Sequence, residues 1–498
     1  MTSKHRLFAF LLLLLCSIPA LTQDRGNHGA FHKKTQHVLL ISLDGFHQFE
    51  LERYIASHPG SALAELASRG VQYSNAITTR PSDSFPASLA MVTGGSPSST
   101  GVFYDVSWDD NLSAPGSDCS TRGTVLPFNE TIDFNPNAVV TSINPALLPR
   151  DPDNGCAPFF PHSMVKVNNI FEVIKAHGGR TAMMDKHPSY ELYQGPSGNG
   201  VDDLYTPEAN PVKTNVALTE ANDELKVQAI LHQIDGFDHT GTVNVGVPTI
   251  FGMNFQTPNV AQKNLAVAYT NANGDISAGL QAAYDYVDGA LQRIVSELRN
   301  QGLLDSTLVI ITAKHANGPV DPALHVLIKP AIYTTLIESV QPGLTAQVTT
   351  DTAALIWLKD HSRTADVLSV LQANAAAIGA ETFYAGDSLR SAFNGELNSS
   401  FANREPDIIV QPRLGVIYSN KAKNVEHGGF HEDDIHVPLM ISQPGIEAHV
   451  ISDPVETKQI APTILKELGL KTKELQAVQL EGTQRLPELR DDDELDQD

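Results

Sequence analysis

The tightest constraint on this chain is an apolar run that ends in a carboxylate. His37 to Leu43 reads His-Val-Leu-Leu-Ile-Ser-Leu, an almost unbroken β-branched and leucine segment of the kind that lies inside a parallel sheet, and it stops at Asp44-Gly45. An acid at that point faces the active crevice, because ligands of open α/β sheets gather outside the carboxyl ends of the strands. Forty residues on, Thr79-Arg80-Pro81-Ser82-Asp83-Ser84-Phe85-Pro86-Ala87-Ser88 leads into the apolar Leu89 to Gly94. Ser84 is expected at the N-cap of a helix, where free backbone N–H groups and the helix dipole favour an anion. Either half alone is ordinary, since a serine before a helical run is usually a plain cap and Asp-Gly after a strand usually a turn. Together they point to a hydroxyl nucleophile, an anionic ester, and a carboxylate placed to hold a cation.

Further along, apolar spacing predicts a helix over about Ala278 to Gln301, carrying Asp288 as a structural cap or ion-pair partner. A buried strand, Leu308 to Ala313, follows and ends in Lys314-His315; Glu426-His427-Gly428-Gly429 precedes a strand at Val437 to Ile441, and an amphipathic helix spans Gln459 to Leu470. The order of these motifs over about residues 37 to 470 resembles the type I phosphodiesterase and nucleotide pyrophosphatase branch of the alkaline phosphatase superfamily. That resemblance implies an α/β fold, an alkaline-phosphatase-like α/β/α sandwich around a mostly parallel sheet with loop insertions. It also implies Ser84 as nucleophile of a seryl-phosphate intermediate. Asp44, Ser84, His315 and His427 would be ligands of divalent metal, zinc foremost, with Arg80 and Asn259 beside the substrate. Imidazole and carboxylate donors suit zinc.

Two positions depart from the pattern. Where the family has an aspartate before the strand-end histidine, this chain has Lys314, and the nearest counterpart of an Asp-x-x-x-His ligand pair is Asn259-Val260-Ala261-Gln262-Lys263. An ammonium does not ligate while protonated, yet it can stand where a cation stood. Lys314 and Lys263 are therefore expected as fixed positive charges in the catalytic centre. Asp238-His239, or Asp185 with His187, are the alternative source of the missing ligands.

Composition limits the partners. With 34 basic and 57 acidic residues the net charge is −23, which disfavours nucleic-acid backbones and requires a local positive centre for any anionic substrate. A small phosphate ester or nucleotide is the expected partner. Lys4 and Arg6 followed by Leu7 to Leu15 read as a signal peptide over 1–23, with a flexible lead-in over 24–36, and no later window is apolar enough to span a bilayer. Cys119 and Cys156 are the only cysteines after that segment, and in a secreted chain they are expected to pair. Sequons at Asn111, Asn129 and Asn398 would permit glycosylation. The catalytic domain is expected over 37–475, with an insertion at about 105–165, a smaller subdomain at about 331–410 and an acidic tail over 476–498. The expected function is a secreted hydrolase of phosphoric diesters or nucleotide pyrophosphates. A catalytically weakened binding or structural glycoprotein is the alternative from another class, and a phosphomonoesterase or sulfatase the alternative within the class. Ser84 lacks the Cys/Ser-x-Pro-x-Arg context of a sulfatase.

Overall fold

A computed structural model describes residues 35–393, 403–487 and 489. The expected signal peptide, the expected lead-in as far as residue 34, the sequon at Asn398 and residues 490–498 lie outside the described residues. Eight strands form the central sheet: β1 (His37–Leu43), β2 (Gly70–Tyr73), β3 (Ala182–Met184), β4 (Asp203–Tyr205), β5 (Ile250–Phe255), β6 (Thr307–Thr312), β7 (Leu439–Ser442) and β8 (His449–Ile451). They lie in the order β8-β2-β7-β6-β1-β5-β3-β4. All neighbours run parallel except β7, which is antiparallel to both β6 and β2.

Strict alternation along β1 divides the interior into two layers. Val38 and Leu40 pack with helices α3 (Ser84–Thr93), α4 (Ile170–Ala176) and α8 (Ile460–Glu467). Leu39, Ile41 and Leu43 pack on the opposite face with α1 (Gln48–Ser57), α2 (Ala62–Ala67), α5 (Val216–Ile234) and α7 (Ala278–Asn300). Both faces of the strand are covered, which is why its sequence reads as a continuous apolar run. Asp288, on α7, accepts hydrogen bonds from the backbone N–H groups of Ala62 and Leu63 and so caps α2.

The helix α5 was not anticipated from the sequence, nor was α1. Its 19 residues bury Thr219, Asn222, Asp223, Lys226 and Gln233, so polar side chains interrupt the apolar period that marks a helix. Those polar groups have partners. Asp223 accepts from the N–H groups of Gln256 and Thr257, at 3.0 and 2.8 Å, and caps α6 (Thr257–Asn264). Lys226, with no exposed side-chain surface, pairs with Asp223 at 2.8 Å and donates to the Asn254 carbonyl at 2.5 Å. A buried charge pair thus fixes the carboxyl end of β5, next to the end of β1.

Outside the main sheet, Thr345–Thr350, Ala354–Leu358, Ile408–Pro412 and Ala380–Ala385 form an antiparallel sheet in that order, with its own apolar layer around Tyr333 and Leu371. A disulfide joins Cys119 to Cys156 within the polar insertion. The expected domain boundary at 475 is too early. Gln476–Glu481 is a helix, Glu481 accepts from the Ser96 backbone at 2.7 Å, and Val478, Leu486 and Leu489 enter the apolar core, so packing continues to residue 489.

His361 fastens the smaller sheet to the insertion. Its Nδ1 lies 2.8 Å from Asp407 and its Nε2 2.9 Å from Asp110. Both partners only accept, so the clamp is complete when both ring nitrogens carry protons. Burial works against that form, but the two carboxylates prevail and raise the histidine above its ordinary range. A raised folded value means that the clamp contributes below the unfolded value and is lost as pH rises through the folded one. His361→Gln should therefore lower the thermal midpoint at pH near 5.5 more than at pH near 8.5, as measured by calorimetry. Lys226→Met, which leaves Asp223 buried without its partner, should cost about 3–5 kcal/mol in urea denaturation.

Candidate active site

Three parallel strands deliver the site from their carboxyl ends. Asp44 follows β1, Asp185 and Lys186 follow β3, and Lys314 and His315 follow β6. Gly45 makes the turn that keeps Asp44 in place: it holds φ +83°, and a β-carbon there would run into the side-chain amides of Asn317 and Gln262. Ser84 comes in from the facing helix. It is the first residue of α3, while the N-cap is Asp83, whose carboxylate accepts from the Phe85 N–H at 3.1 Å. The sequence-based placement is thus shifted by one residue. The backbone donor expected to be open to an anion is taken by Asp83.

Ser84 Oγ lies 3.1 Å from Lys186 Nζ and 3.2 Å from His315 Nε2. Asp44 completes the group: its two oxygens stand 2.6 Å from Lys186 Nζ and 3.1 Å from His315 Nε2. Asp44 has no exposed surface and Ser84 only 7%. His315 Nδ1 is 3.1 Å from the Ala316 carbonyl, and Nε2 is the nitrogen that faces both Ser84 and Asp44. The ring of His427 stacks on that of His315 with centroids 3.6 Å apart.

The electrostatics follow from burial and pairing. Burial opposes ionisation of Asp44, but Lys186, His315 and Lys314 hold its carboxyl well below the usual carboxylate range. Burial likewise opposes the charge on Lys186, yet Asp44 and Glu208 raise it above an ordinary lysine, so it stays an ammonium. Burial lowers His315, with Asp44 pulling the other way, and lowers His427 further because His315 and two lysines adjoin it. Lys314 is pushed down to about 8 by burial, against the pull of Asp185. It does not point at Ser84. Its Nζ donates to Asp185 at 2.7 Å and rests 4.1 Å above the ring of Tyr190, while Tyr193 donates to the other oxygen of Asp185 at 2.9 Å.

Of the other sequence-derived candidates, Lys263 pairs with Glu426, which Lys423 also grips, and its charge reaches His427 and His315 from there. Asn259 accepts from Asn317 at 3.0 Å on the far side of Gly45. Arg80 lies half-buried where its charge is felt by Tyr384 of the smaller sheet. Neither alternative source of ligands reaches the centre as a donor. Asp185 is taken by Lys314 and Tyr193, and His239 is held by Asp203 at 2.6 Å. His187 is lowered to about 4, chiefly by burial, with Glu130 pulling the other way. Lys186 and Tyr190 were missed by sequence reasoning. The signal available was position: Asp185-Lys186 directly follows a strand of the same parallel sheet.

The donors do not fit a divalent ion. Among the described residues no group of three or more histidine, cysteine or acidic side chains converges as a metal would require. Around Ser84 the convergent donors are Asp44 and His315, and an ammonium sits on Asp44. What the group does offer is a hydroxyl between a fixed cation and a neutral imidazole.

No curated protein matches the sequence significantly. Among solved structures, murine ectonucleotide pyrophosphatase/phosphodiesterase 5 superposes with a TM-score of 0.57 at 13% identity, covering 88% of this chain and 96% of its own. Its human counterpart gives 0.56 at 13%, with 88% and 96% covered. The wild-type alkaline phosphatase PafA gives 0.58 at 12%, with 88% and 97% covered. These likenesses establish a shared fold. The sequence profile of the type I phosphodiesterase / nucleotide pyrophosphatase family matches residues 38–434. With most of its length inside that profile, the chain belongs to the type I phosphodiesterase / nucleotide pyrophosphatase family.

Proposed function

We propose that the protein is a secreted hydrolase of nucleotide pyrophosphates or phosphoric diesters that works through a seryl-phosphate at Ser84. The observation that carries this is the placement of Ser84 Oγ within 3.2 Å of both His315 Nε2 and Lys186 Nζ. His315 takes the Ser84 proton on Nε2, and the imidazolium so formed meets the Asp44 carboxylate at 3.1 Å. Lys186 stays charged and offsets the negative charge that gathers on the attacked phosphorus oxygens. A water then attacks the phosphorus of the seryl ester from the leaving-group side, Nε2–H returns the proton to Oγ, and the water's own proton leaves with the phosphate product. His427 and Lys263 line the same centre, and Arg80 and Asn259 are assigned to the substrate.

A leaving group that departs as a phosphate needs little protonation, since its second ionisation lies near pH 6. The ammonium supplies charge without Lewis acidity, so pyrophosphate bonds suit this site better than simple alkyl diesters. An inactive variant of the murine relative was solved in complex with AMP, which agrees with a nucleotide reading for this chain. The leader over 1–23 and the Cys119–Cys156 bond support secretion. Among the described residues no helix is long and apolar enough to cross a membrane. A second reading, binding without turnover, is favoured by one observation: Asp83 covers the leading N–H of α3, where a phosphate oxygen would otherwise gain a donor.

Ser84→Ala separates the two. On the hydrolase reading it lowers turnover of a p-nitrophenyl nucleotide ester by at least about a thousandfold with an unchanged thermal midpoint, and acid-quenched wild type shows a nucleotidyl phosphate ester on Ser84 by mass spectrometry. Equal, negligible rates for both proteins, with nucleotide still bound, would support the binding reading.

The rate should follow a bell in pH. Its acid limb lies below the ordinary histidine value, because His315 must be neutral to accept a proton and burial lowers it. Its alkaline limb lies near 8, where Lys314 loses its charge and leaves Asp185 to compete for Lys186. Lys314→Arg, which stays charged, should carry that alkaline limb upward by a unit or more in kcat/KM profiles, about tenfold in rate at pH 9.

A further inference from the structure

We infer that Lys186 is a tethered replacement for a divalent ion, and that this ammonium is what frees His315 to act as a base. The inference rests on the assignment of Ser84 as nucleophile, and it concerns what occupies the point where Asp44, Ser84 and His315 converge. Ligands around a zinc with bonds of 2.0–2.1 Å stand about 3.3 Å apart along a tetrahedron's edge. His315 Nε2 lies 3.1 Å from Asp44 and 3.2 Å from Ser84 Oγ, which is the spacing of ligands around such an ion. Lys186 Nζ sits on the same donors, at 2.6 and 3.1 Å. It approaches from the end of β3, a strand separated from β1 by β5, and its side chain is 9% exposed.

One positive charge there neutralises Asp44 and still donates to the nucleophile. It makes no bond to a nitrogen lone pair. An imidazole bound to a metal through Nε2 has no site left for the serine proton, whereas beside an ammonium that lone pair is free. Lys314 reinforces the exchange. In place of a fourth, anionic donor it holds Asp185 with no side-chain exposure, so Asp185 also is withdrawn from any ion. The replacement therefore trades Lewis acidity for a general base at the point where Asp44, Ser84 and His315 meet.

The test reads metal and needs no turnover. Wild-type protein expressed in zinc-supplemented medium should carry less than about a tenth of an equivalent of zinc, and its thermal midpoint should be indifferent to excess chelator. Lys186→Ala combined with Lys314→Asp empties the cation's place and restores an acid, and this variant should bind about one zinc per chain at least tenfold tighter than wild type in calorimetric titration. Stoichiometric zinc in the wild type, removable by chelator with a fall in thermal midpoint, overturns the inference whether or not the variant folds. A folded variant that binds zinc no better than wild type overturns it as well. Loss of the nucleophile assignment through an active Ser84→Ala protein would leave both metal measurements standing, so the two failures are distinguishable.

Discussion

Asp44 sets the terms for everything around it. A carboxylate with no exposure, at the end of a strand walled on both sides by apolar layers, has lost its water and must be neutralised by the protein. Breaking a buried pair of this kind costs several kcal/mol, so whatever cation answers Asp44 is held as firmly as the core itself. Here that cation is Lys186, delivered by β3, two strands away in the same sheet. Because the ammonium bonds Asp44 and Ser84 at once, the neutralising group and the activating group are the same atom.

The rest of the site distributes charge around that pair. Lys314 and Asp185 form a second buried pair under the ring of Tyr190, and Lys263 with Glu426 a third beside His427. Each lysine is matched by a carboxylate, which allows a protein of net charge −23 to hold several cations in one region without a diffuse basic surface. The same pairing explains why the fold tolerates Asp223 and Lys226 deep in α5. They hold the ends of β5 and α6 by backbone hydrogen bonds, and that keeps the neighbouring end of β1 in register.

Much of this was legible in the chain. The unbroken apolar runs of β1 and β6, the acid and histidine at their ends, the serine that opens α3 and the helix over Ala278–Asn300 all follow from period and punctuation, because burial on two faces leaves a plain compositional mark. The two lysines at expected ligand positions were legible too. What was not legible was α5, whose buried face is polar and so lacks the apolar period. The identity of the N-cap was off by one residue, because Asp83 and Ser84 are both good caps and only the backbone angles choose between them.

The sequence by itself determined the layered α/β architecture, the family, and the order of a strand-end acid, a helix-opening serine and two histidines. Tertiary structure decided which lysine matters. Lys314 and Lys263 stood out by alignment, yet each is taken up by its own carboxylate, while Lys186, unremarked in the chain, reaches Ser84 and Asp44. The physical reason is that buried charges choose partners by distance in space. A residue that follows one strand can neutralise an acid that follows another only once the sheet has set both at the same edge.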